Sequence, residues 1–197
     1  IVATAVTDYK TAKLVKDDAK PGTNVTGTTD MNPVAEQLDL LLKLVPNAKT
    51  IGTIYCSSEV NSQLQVELLK KAAAAKGITV KEATVSTVND IQQAARSLTG
   101  DVQAVYVPTD NVLASAIPTL ISVTEEAKLP VICAEGGMVR AGGLATLGVD
   151  YYKLGFQTGV MAADILSGKA KPADMAIQAQ KEFKPTINLK EAAKNGL

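Results

Sequence analysis

Histidine is absent from this chain, and its absence excludes most chemistry that depends on an imidazole. Catalytic triads with a histidine base, histidine general acids and nearly all zinc sites require that side chain. The sequence also lacks a P-loop, a GxSxG nucleophile motif and a GxGxxG motif after its first predicted strand. We therefore expect a protein that is not an enzyme and that uses no cofactor and no metal.

The chain also lacks an excess of positive or negative charge, and it lacks long apolar runs. Lysine plus arginine and aspartate plus glutamate number 20 each, without a basic cluster, so we expect no nucleic-acid partner. No run of about 18 apolar residues is present, and we expect no membrane span. The first residues, IVATAVTD, have the pattern of a buried strand without a methionine or a basic signal region. From this we expect that upstream sequence is missing.

Cysteine is scarce, and its two occurrences lie far apart in the predicted sheet. Cys56 and Cys133 each stand at the end of a predicted parallel strand, the first and the fourth of one block. With two sheet positions between them, at about 4.8 Å per strand, the two sulfurs are too distant for a disulfide. We expect two free, buried thiols without a redox role.

The chain does contain a regular alternation of strand and helix patterns. Short apolar runs rich in β-branched residues alternate with amphipathic segments that end in polar caps or glycine stops. This alternation predicts a parallel sheet with helices on both faces, joined by right-handed crossovers. The predicted strands are Ile1–Val6, Thr50–Tyr55, Ile78–Ala83, Val102–Val107, Leu129–Ala134, Leu144–Val149, Met175–Gln180 and Thr186–Leu189. The predicted helices are Thr11–Lys16, Pro33–Val45, Asn61–Lys76, Asn89–Leu98, Val112–Lys128, Tyr152–Leu166 and Lys190–Asn195.

Most of the predicted strands end in a polar tip. In an open parallel sheet these tips lie at the carboxyl edge, where ligands bind. They supply hydroxyls, amides and carboxylates but essentially no cation, which suits a ligand with an ammonium group and a carboxylate. The tips are Thr7-Asp8, Ser57-Ser58 with Asn61, Thr109-Asp110-Asn111, Glu135-Gly136-Gly137 and Asp150-Tyr151.

Other interpretations of these tips stay open at this point. Asp110 or Asn111 can simply cap the helix that follows. Tyr151 and Tyr152 can pack at a lobe interface instead of stacking on a ligand. Asp110 and Glu135 could also be the paired carboxylates of a glycosidase, although no further feature supports an enzyme.

Segments along nearly the whole chain resemble the substrate-binding proteins of ABC transporters. The more specific of these segments are VYVPTDN and LGVDYYKLG, which resemble the family that includes binders of tryptophan and other aromatic amino acids. The resemblance implies an α/β chain with the type I periplasmic-binding-protein fold. In that fold two lobes with doubly wound parallel sheets trap a ligand by hinge closure.

The resemblance also implies a division of the chain between the two lobes. Residues 25–143 and 173–197 would form lobe 2, and residues 1–24 and 144–172 would form part of lobe 1. Such proteins normally begin with further strands and helices of lobe 1, so that lobe is expected to be incomplete in this chain.

The ligand-binding residues that the resemblance implies lie on the strand tips of both lobes. Asp110, with Glu135 near it, is expected to pair with a ligand ammonium group, and serine and threonine hydroxyls are expected to take the ligand's carboxylate. Many relatives have aspartate at the position of Glu135, and the additional methylene can shift ligand preference. The implied residues are Ser57, Ser58, Asn61, Thr109, Asp110, Asn111, Glu135 and Gly136 in lobe 2 and Thr7, Asp8 and Asp150 in lobe 1.

The function that the resemblance implies is solute capture for an ABC importer. The protein would be extracytoplasmic, as a periplasmic protein or a cell-surface lipoprotein made with a signal peptide. It would hold a small ligand, an amino acid and aromatic ones among the candidates, in the cleft between its lobes and deliver it to a permease. The alternative from another class is a sensory ligand-binding domain coupled to a signalling or regulatory protein.

Overall fold

The computed structural model describes all 197 residues, and the chain divides into two compact units. Unit 1 comprises Ile1–Asn32 and Val149–Lys184, and unit 2 comprises Pro33–Gly148 and Pro185–Leu197. None of the helices is both long enough and apolar enough to cross a lipid bilayer.

Short strands and helices alternate along most of the chain. The strands are β1 (Val2–Ala3), β2 (Thr26–Thr29), β3 (Thr50–Cys56), β4 (Thr79–Val85), β5 (Ala104–Val107), β6 (Val131–Cys133), β7 (Ala145–Gly148), β8 (Gln178–Ala179) and β9 (Lys184–Ile187). The helices are α1 (Val34–Leu44), α2 (Val60–Ala75), α3 (Ile91–Leu98), α4 (Asn111–Ser115), α5 (Ile117–Glu126), α6 (Gly136–Arg140), α7 (Tyr151–Leu166) and α8 (Leu189–Lys194).

Unit 2 is organised around a six-stranded sheet with the strand order β4-β3-β5-β6-β7-β9. The pairs β3–β4, β3–β5, β5–β6 and β6–β7 are all parallel. Side chains of β5 alternate between two apolar clusters, with Val105 and Val107 in one and Ala104 and Tyr106 in the other. Because successive side chains of a strand point to opposite faces, β5 is buried on both faces, as its apolar run predicts.

Unit 1 contains a three-stranded parallel sheet in the order β1-β2-β8, with α7 packed against β1 and β2. Gly27 allows β2 to pass close to its neighbours, because a Cβ atom there would collide with the Ala3 carbonyl and the Tyr9 hydroxyl. That hydroxyl donates to the carbonyls of Ala3 and Thr28, both at 3.1 Å. Burial raises the pKa of Tyr9 to about 12, so the hydroxyl remains a donor.

The boundaries between the two units along the chain differ from the lobe boundaries expected above, which lay after residues 24, 143 and 172. The chain changes units after Asn32, Gly148 and Lys184. Residues 25–32 and 173–184 group with unit 1 because β2 pairs with both β1 and β8. Residues 144–148 group with unit 2 because β7 pairs with β6.

The α/β class and the parallel sheets are confirmed, and three local differences have simple causes. The predicted helix Val112–Lys128 is two helices, interrupted at Ala116, with Pro118 in the first turn of the second helix, where a missing N–H is tolerated. The tip after β6 opens a short helix, α6, instead of a loop. The segment Thr11–Lys16 forms turns, and Lys13 adopts a positive φ of 59° that interrupts a helix.

Both cysteines are buried and free, as predicted. Cys56 ends β3 and Cys133 ends β6, with β5 between the two strands. Two strand spacings of about 4.8 Å place them beyond the reach of a disulfide. Burial raises the pKa of the Cys133 thiol, which keeps it protonated and unreactive.

A buried glutamine fastens α1 to the carboxyl ends of three strands. The Gln37 amide donates to the carbonyls of Ala134 at 2.9 Å and Leu147 at 2.7 Å. Its Oε1 atom accepts the Tyr106 hydroxyl at 2.6 Å, and both side chains are fully buried. Ala134 immediately precedes the tip after β6, so this network holds that tip in place.

Replacing Gln37 by leucine should lower the free energy of unfolding by about 2–4 kcal/mol, because two carbonyls and one hydroxyl would be buried without a partner. Urea unfolding measures this loss. The matched control is Gln92→Leu on the exposed face of α3, which should change stability by less than about 0.5 kcal/mol. Similar losses in the two variants would contradict the role given to Gln37.

Candidate functional site

The loops that follow β3, β5 and β6 lie at the carboxyl edge of the unit 2 sheet, because these strands are parallel neighbours. This edge contains the unit 2 residues that the sequence analysis selected. Ser57, Ser58 and Asn111 are exposed there, whereas Asp110 is buried. The remaining members are partly buried, namely Asn61, Thr109, Glu135 and Gly136.

Asp110 joins two loops from inside the protein. Its Oδ1 atom accepts the Leu113 N–H at 2.9 Å, which caps α4. Its Oδ2 atom accepts the Cys56 N–H at 2.7 Å and the Ser62 hydroxyl at 2.8 Å. Only 1% of the residue is exposed, and burial raises the pKa of its carboxyl group. The capping interpretation is therefore confirmed, while contact between Asp110 and a ligand stays a prediction.

Three side chains of α2 hold Thr109 in position. The Asn61 amide and the Ser62 hydroxyl donate to the Thr109 carbonyl at 2.9 and 3.0 Å, and Gln65 Oε1 accepts the Thr109 N–H at 3.1 Å. Ser62 and Gln65 are fully buried, and the sequence analysis missed both. A signal was present, since residues 62, 65, 66 and 69 follow the helical spacing of one buried face.

Glu59 is another residue of this edge that the sequence analysis missed. Its carboxylate accepts the Asn111 N–H at 3.0 Å, the Asn111 side-chain amide at 2.8 Å and the Val112 N–H at 3.2 Å. The Asn61 amide also donates to it at 3.3 Å. Glu59 is partly exposed and lies at the end of the loop after β3. It thus fastens that loop to the start of α4.

The loop after β6 is held by its own acidic residue. Glu135 accepts the N–H groups of Gly137 at 2.5 Å and Met138 at 2.7 Å, and so caps α6. Its carboxylate folds closely over the backbone, because a Cβ atom on Gly137 would lie 2.8 Å from Glu135 Oε2. A side chain at position 137 would require the Glu135 carboxylate to shift from this position.

The carboxylates at the edge of unit 2 have no cationic partner. None of Glu59, Asp110 and Glu135 takes part in an ion pair, although lysines pair with other acids elsewhere in the chain. No group of three or more cysteine, aspartate or glutamate side chains is arranged to hold a metal ion. The edge offers hydrogen-bond acceptors, hydroxyls and negative charge.

Unit 1 has its own cluster at the corresponding sheet edge. The Thr7 hydroxyl donates to Asp30 Oδ1 at 2.8 Å, and the Tyr151 hydroxyl donates to Asp30 Oδ2 at 2.9 Å. Thr7 and Asp30 are buried, and Tyr151 is exposed. Asp30 was not selected from the sequence, because β2, the strand that it follows, was not among the predicted strands.

Asp8 lies beside a cavity of about 280 Å³ within unit 1. Its Oδ1 atom accepts the Thr11 N–H at 2.6 Å, which closes the turn after Thr7. The cavity is lined by Thr7, Asp8, Tyr9, Asp18, Thr29, Met31, Ile177 and Ala179.

Asp150 caps α7 and connects two segments of unit 1. It accepts the Tyr152 and Lys153 N–H groups at 3.1 and 3.2 Å. Lys184 forms an ion pair with it at 2.7 Å and holds the pKa of the Asp150 carboxyl below its usual range. The side-chain amide of Gln180 makes two hydrogen bonds to the Asp150 backbone. Its Oε1 atom accepts the Asp150 N–H at 2.9 Å, and its Nε2 atom donates to the Asp150 carbonyl at 2.6 Å.

Comparison with known proteins identifies this architecture. A family model described as ABC transporter substrate binding protein matches residues 1–197. A tyrosine-binding protein from Clostridioides difficile is 43% identical over 188 residues, which are 95% of this chain and 54% of that protein. The chain thus spans about half the length of this curated relative.

Solved structures give the same result for the fold. The structure of an ABC domain in complex with L-Trp from Streptococcus pneumoniae is 42% identical, with a TM-score of 0.94, over 99% of this chain and 66% of that chain. A glucose-galactose binding protein from Geobacillus stearothermophilus, 22% identical over 82% of this chain and 62% of that one, has a TM-score of 0.63 and shows the fold alone. The expected type I periplasmic-binding-protein fold is confirmed.

Asp110→Ala should lower the free energy of unfolding by about 2–4 kcal/mol, because it leaves the buried N–H groups of Cys56 and Leu113 unpaired. Glu135→Ala removes only a local helix cap and should cost about 1 kcal/mol. Urea unfolding of both variants at neutral pH tests the difference. A loss for Asp110→Ala no larger than that for Glu135→Ala would show that Asp110 does not hold the two loops together.

Proposed function

This chain belongs to the family of ABC transporter substrate-binding proteins, and we propose that it captures an aromatic L-amino acid for import. The observation that carries the proposal is the carboxyl edge of unit 2, where hydroxyls, amides and carboxylates lie together without a lysine or arginine paired to them. Such an edge suits a small ligand that carries an ammonium group.

The aromatic class is supported by the relatives. One close relative is named a tyrosine-binding protein, and another is a structure in complex with L-Trp, at 43% and 42% identity. Matched regulators that share the fold, such as a LacI-family protein from Corynebacterium glutamicum at 11% identity, support the fold and not a sensory role. Transport is therefore favoured over sensing.

We assign the ligand contacts to residues at the carboxyl edges of the two sheets. In unit 2 Ser57, Ser58 and Asn111 are exposed. The two serine hydroxyls have internal contacts with the Val85 carbonyl at 3.4 Å and Cys56 Sγ at 3.2 Å, and they are suited to a ligand carboxylate. Asp110 holds the loops in place through three internal hydrogen bonds, and we keep it among the proposed contact residues as the expected partner of a ligand ammonium group. The other proposed contact residues are Asn61, Thr109, Glu135 and Gly136 in unit 2 and Thr7, Asp8 and Asp150 in unit 1.

The proposal includes a location and a partner. Proteins of this family are extracytoplasmic, and the chain would act outside the cytoplasm, free or attached through a lipid anchor. The bound amino acid would be passed to the permease of an ABC transporter. Family membership supports both statements.

A thermal-shift screen of the whole native protein against the twenty amino acids should give a shift with L-Trp, L-Tyr or L-Phe and little with the others. A ligand at one hundred times its dissociation constant stabilises the folded state by about 2.7 kcal/mol, which a melting curve resolves. Calorimetric titration of each hit should give saturable binding. The absence of a shift with every amino acid would refute the proposed function.

Changing both Ser57 and Ser58 to alanine should weaken binding of the selected amino acid by about 1–3 kcal/mol, because two hydrogen bonds to its carboxylate are lost. Both serines are exposed, so the melting temperature without ligand should stay nearly constant. The control is Ser97→Ala on the exposed face of α3. Equal affinities for the control and the double variant would place the ligand carboxylate elsewhere.

A further inference from the structure

Two polar atoms in the core of unit 2 have no hydrogen-bond partner within the protein. They are Thr53 Oγ1, in the middle of β3, and Gln65 Nε2, on the buried face of α2. Both residues are 0% exposed, so bulk water does not reach either atom. Asp18 Oδ1 is also without a partner, but Asp18 lies partly at the surface and pairs with Lys10. A buried polar group without a partner destabilises the folded state, so native structures contain few of them.

Thr53 and Gln65 face the same layer of the core. Along β3, Ile51 belongs to one apolar cluster and Ile54 to the other, so Thr53 points toward the cluster of Ile51. Leu69 of α2 belongs to that cluster too, and Gln65, four residues before it, lies on the same helix face. Because α2 packs against β3, the two polar side chains are directed into the layer between this strand and this helix.

The two side chains also lie at a similar distance from the carboxyl edge of the sheet. The helix α2 runs back along β3, because it joins the end of β3 to the start of the parallel strand β4. Gln65 is five residues from the start of α2, which is about 7.5 Å along the helix. Thr53 is three residues from the end of β3, which is about 10 Å along the strand. Thr53 and Gln65 therefore lie opposite each other across the layer.

The surroundings offer neither atom another partner. Tyr106, which is the Cα partner of Thr53 on β5, donates its hydroxyl to Gln37 Oε1 at 2.6 Å. Gln65 Oε1 accepts the Thr109 N–H at 3.1 Å, whereas both N–H groups of Gln65 Nε2 are unpaired. The cluster around them consists of apolar side chains apart from Tyr106. A partner for Thr53 and Gln65 must therefore come from outside the chain.

From this geometry we infer that a water molecule is bound between β3 and α2, where it joins Gln65 Nε2 to the Thr53 hydroxyl. Buried waters typically make two to four hydrogen bonds to polar groups that the protein leaves unpaired. Gln65 Nε2 can only donate and the Thr53 hydroxyl can donate or accept, so one water satisfies both. The water keeps the amide of Gln65 turned with its oxygen toward Thr109, and it thereby helps to hold the loop after β5. The inference does not depend on the identity of the ligand.

A crystal structure of the whole native protein, at a resolution that shows ordered water, tests the inference directly. We expect a density peak within about 3.2 Å of both Thr53 Oγ1 and Gln65 Nε2. The absence of a peak between these atoms would overturn the inference. A direct hydrogen bond between Thr53 and Gln65 would overturn it as well, because the two groups would then satisfy each other.

Thr53→Val in the whole native protein gives an independent test, because it removes the hydroxyl and keeps the shape of the side chain. With the water bound, the variant loses a hydrogen bond, and its melting temperature should fall by about 2–4 °C. If the hydroxyl had no partner at all, valine would suit the apolar layer better and the melting temperature would rise. A rise in the melting temperature would therefore contradict the bound water.

The matched control is Thr26→Val, at a fully buried threonine of β2. Its hydroxyl donates to the Met175 carbonyl at 2.6 Å, so its removal is the loss of a known hydrogen bond. This control should lower the melting temperature, and Thr53→Val should change it in the same direction. Opposite signs for the two variants would show that the Thr53 hydroxyl is not hydrogen-bonded and would refute the inference.

Discussion

The carboxyl edge of the unit 2 sheet depends on acidic side chains that accept backbone N–H groups. Each helix of a parallel α/β unit begins where a strand tip ends, and its first N–H groups have no partner within the helix. Asp110 and Glu135 fill that role, and Glu59 adds a second acceptor at α4. A buried N–H group without a partner costs about 1–3 kcal/mol, so these carboxylates fix the loop conformations. The negative charge of the edge is thus first of all a requirement of the fold.

The location of this edge could be predicted from the sequence, but the division of roles among its residues could not. Strand and helix periods show where each tip lies, and parallel strands bring their tips to one edge. The hydrogen-bond partners of these residues could not be predicted in this way, because Asp110 bonds Cys56 and Ser62, which precede it by 54 and 48 residues. A single sequence shows only the local cap on Leu113. Glu59 was overlooked for the same reason, since its partners near Asn111 lie 52 residues away.

The fold shows the same separation between local and distant determinants. The alternation of strands and helices could be predicted from the sequence, whereas the grouping of β2 with unit 1 depends on its pairing with β1 and β8. Gln37 and Gln65 lie on the apolar faces of α1 and α2, at positions that follow the helical spacing of their buried neighbours. Their burial could therefore have been predicted from that spacing. Their function as acceptors and donors for the strand ends depends on where those ends lie.

The charge at the edge also limits which ligands can be accommodated. The chain has as many basic as acidic residues, so the lack of ion pairs to Glu59, Asp110 and Glu135 reflects where the lysines lie and not a shortage of them. Two unit charges 4 Å apart interact by about 4 kcal/mol at an effective dielectric constant of 20. A cationic group close to this edge would gain attraction of that order, and an anionic group would meet repulsion of the same order. A zwitterion is suited to such an edge when its carboxylate is directed away from the acids, toward neutral hydroxyls such as those of Ser57 and Ser58.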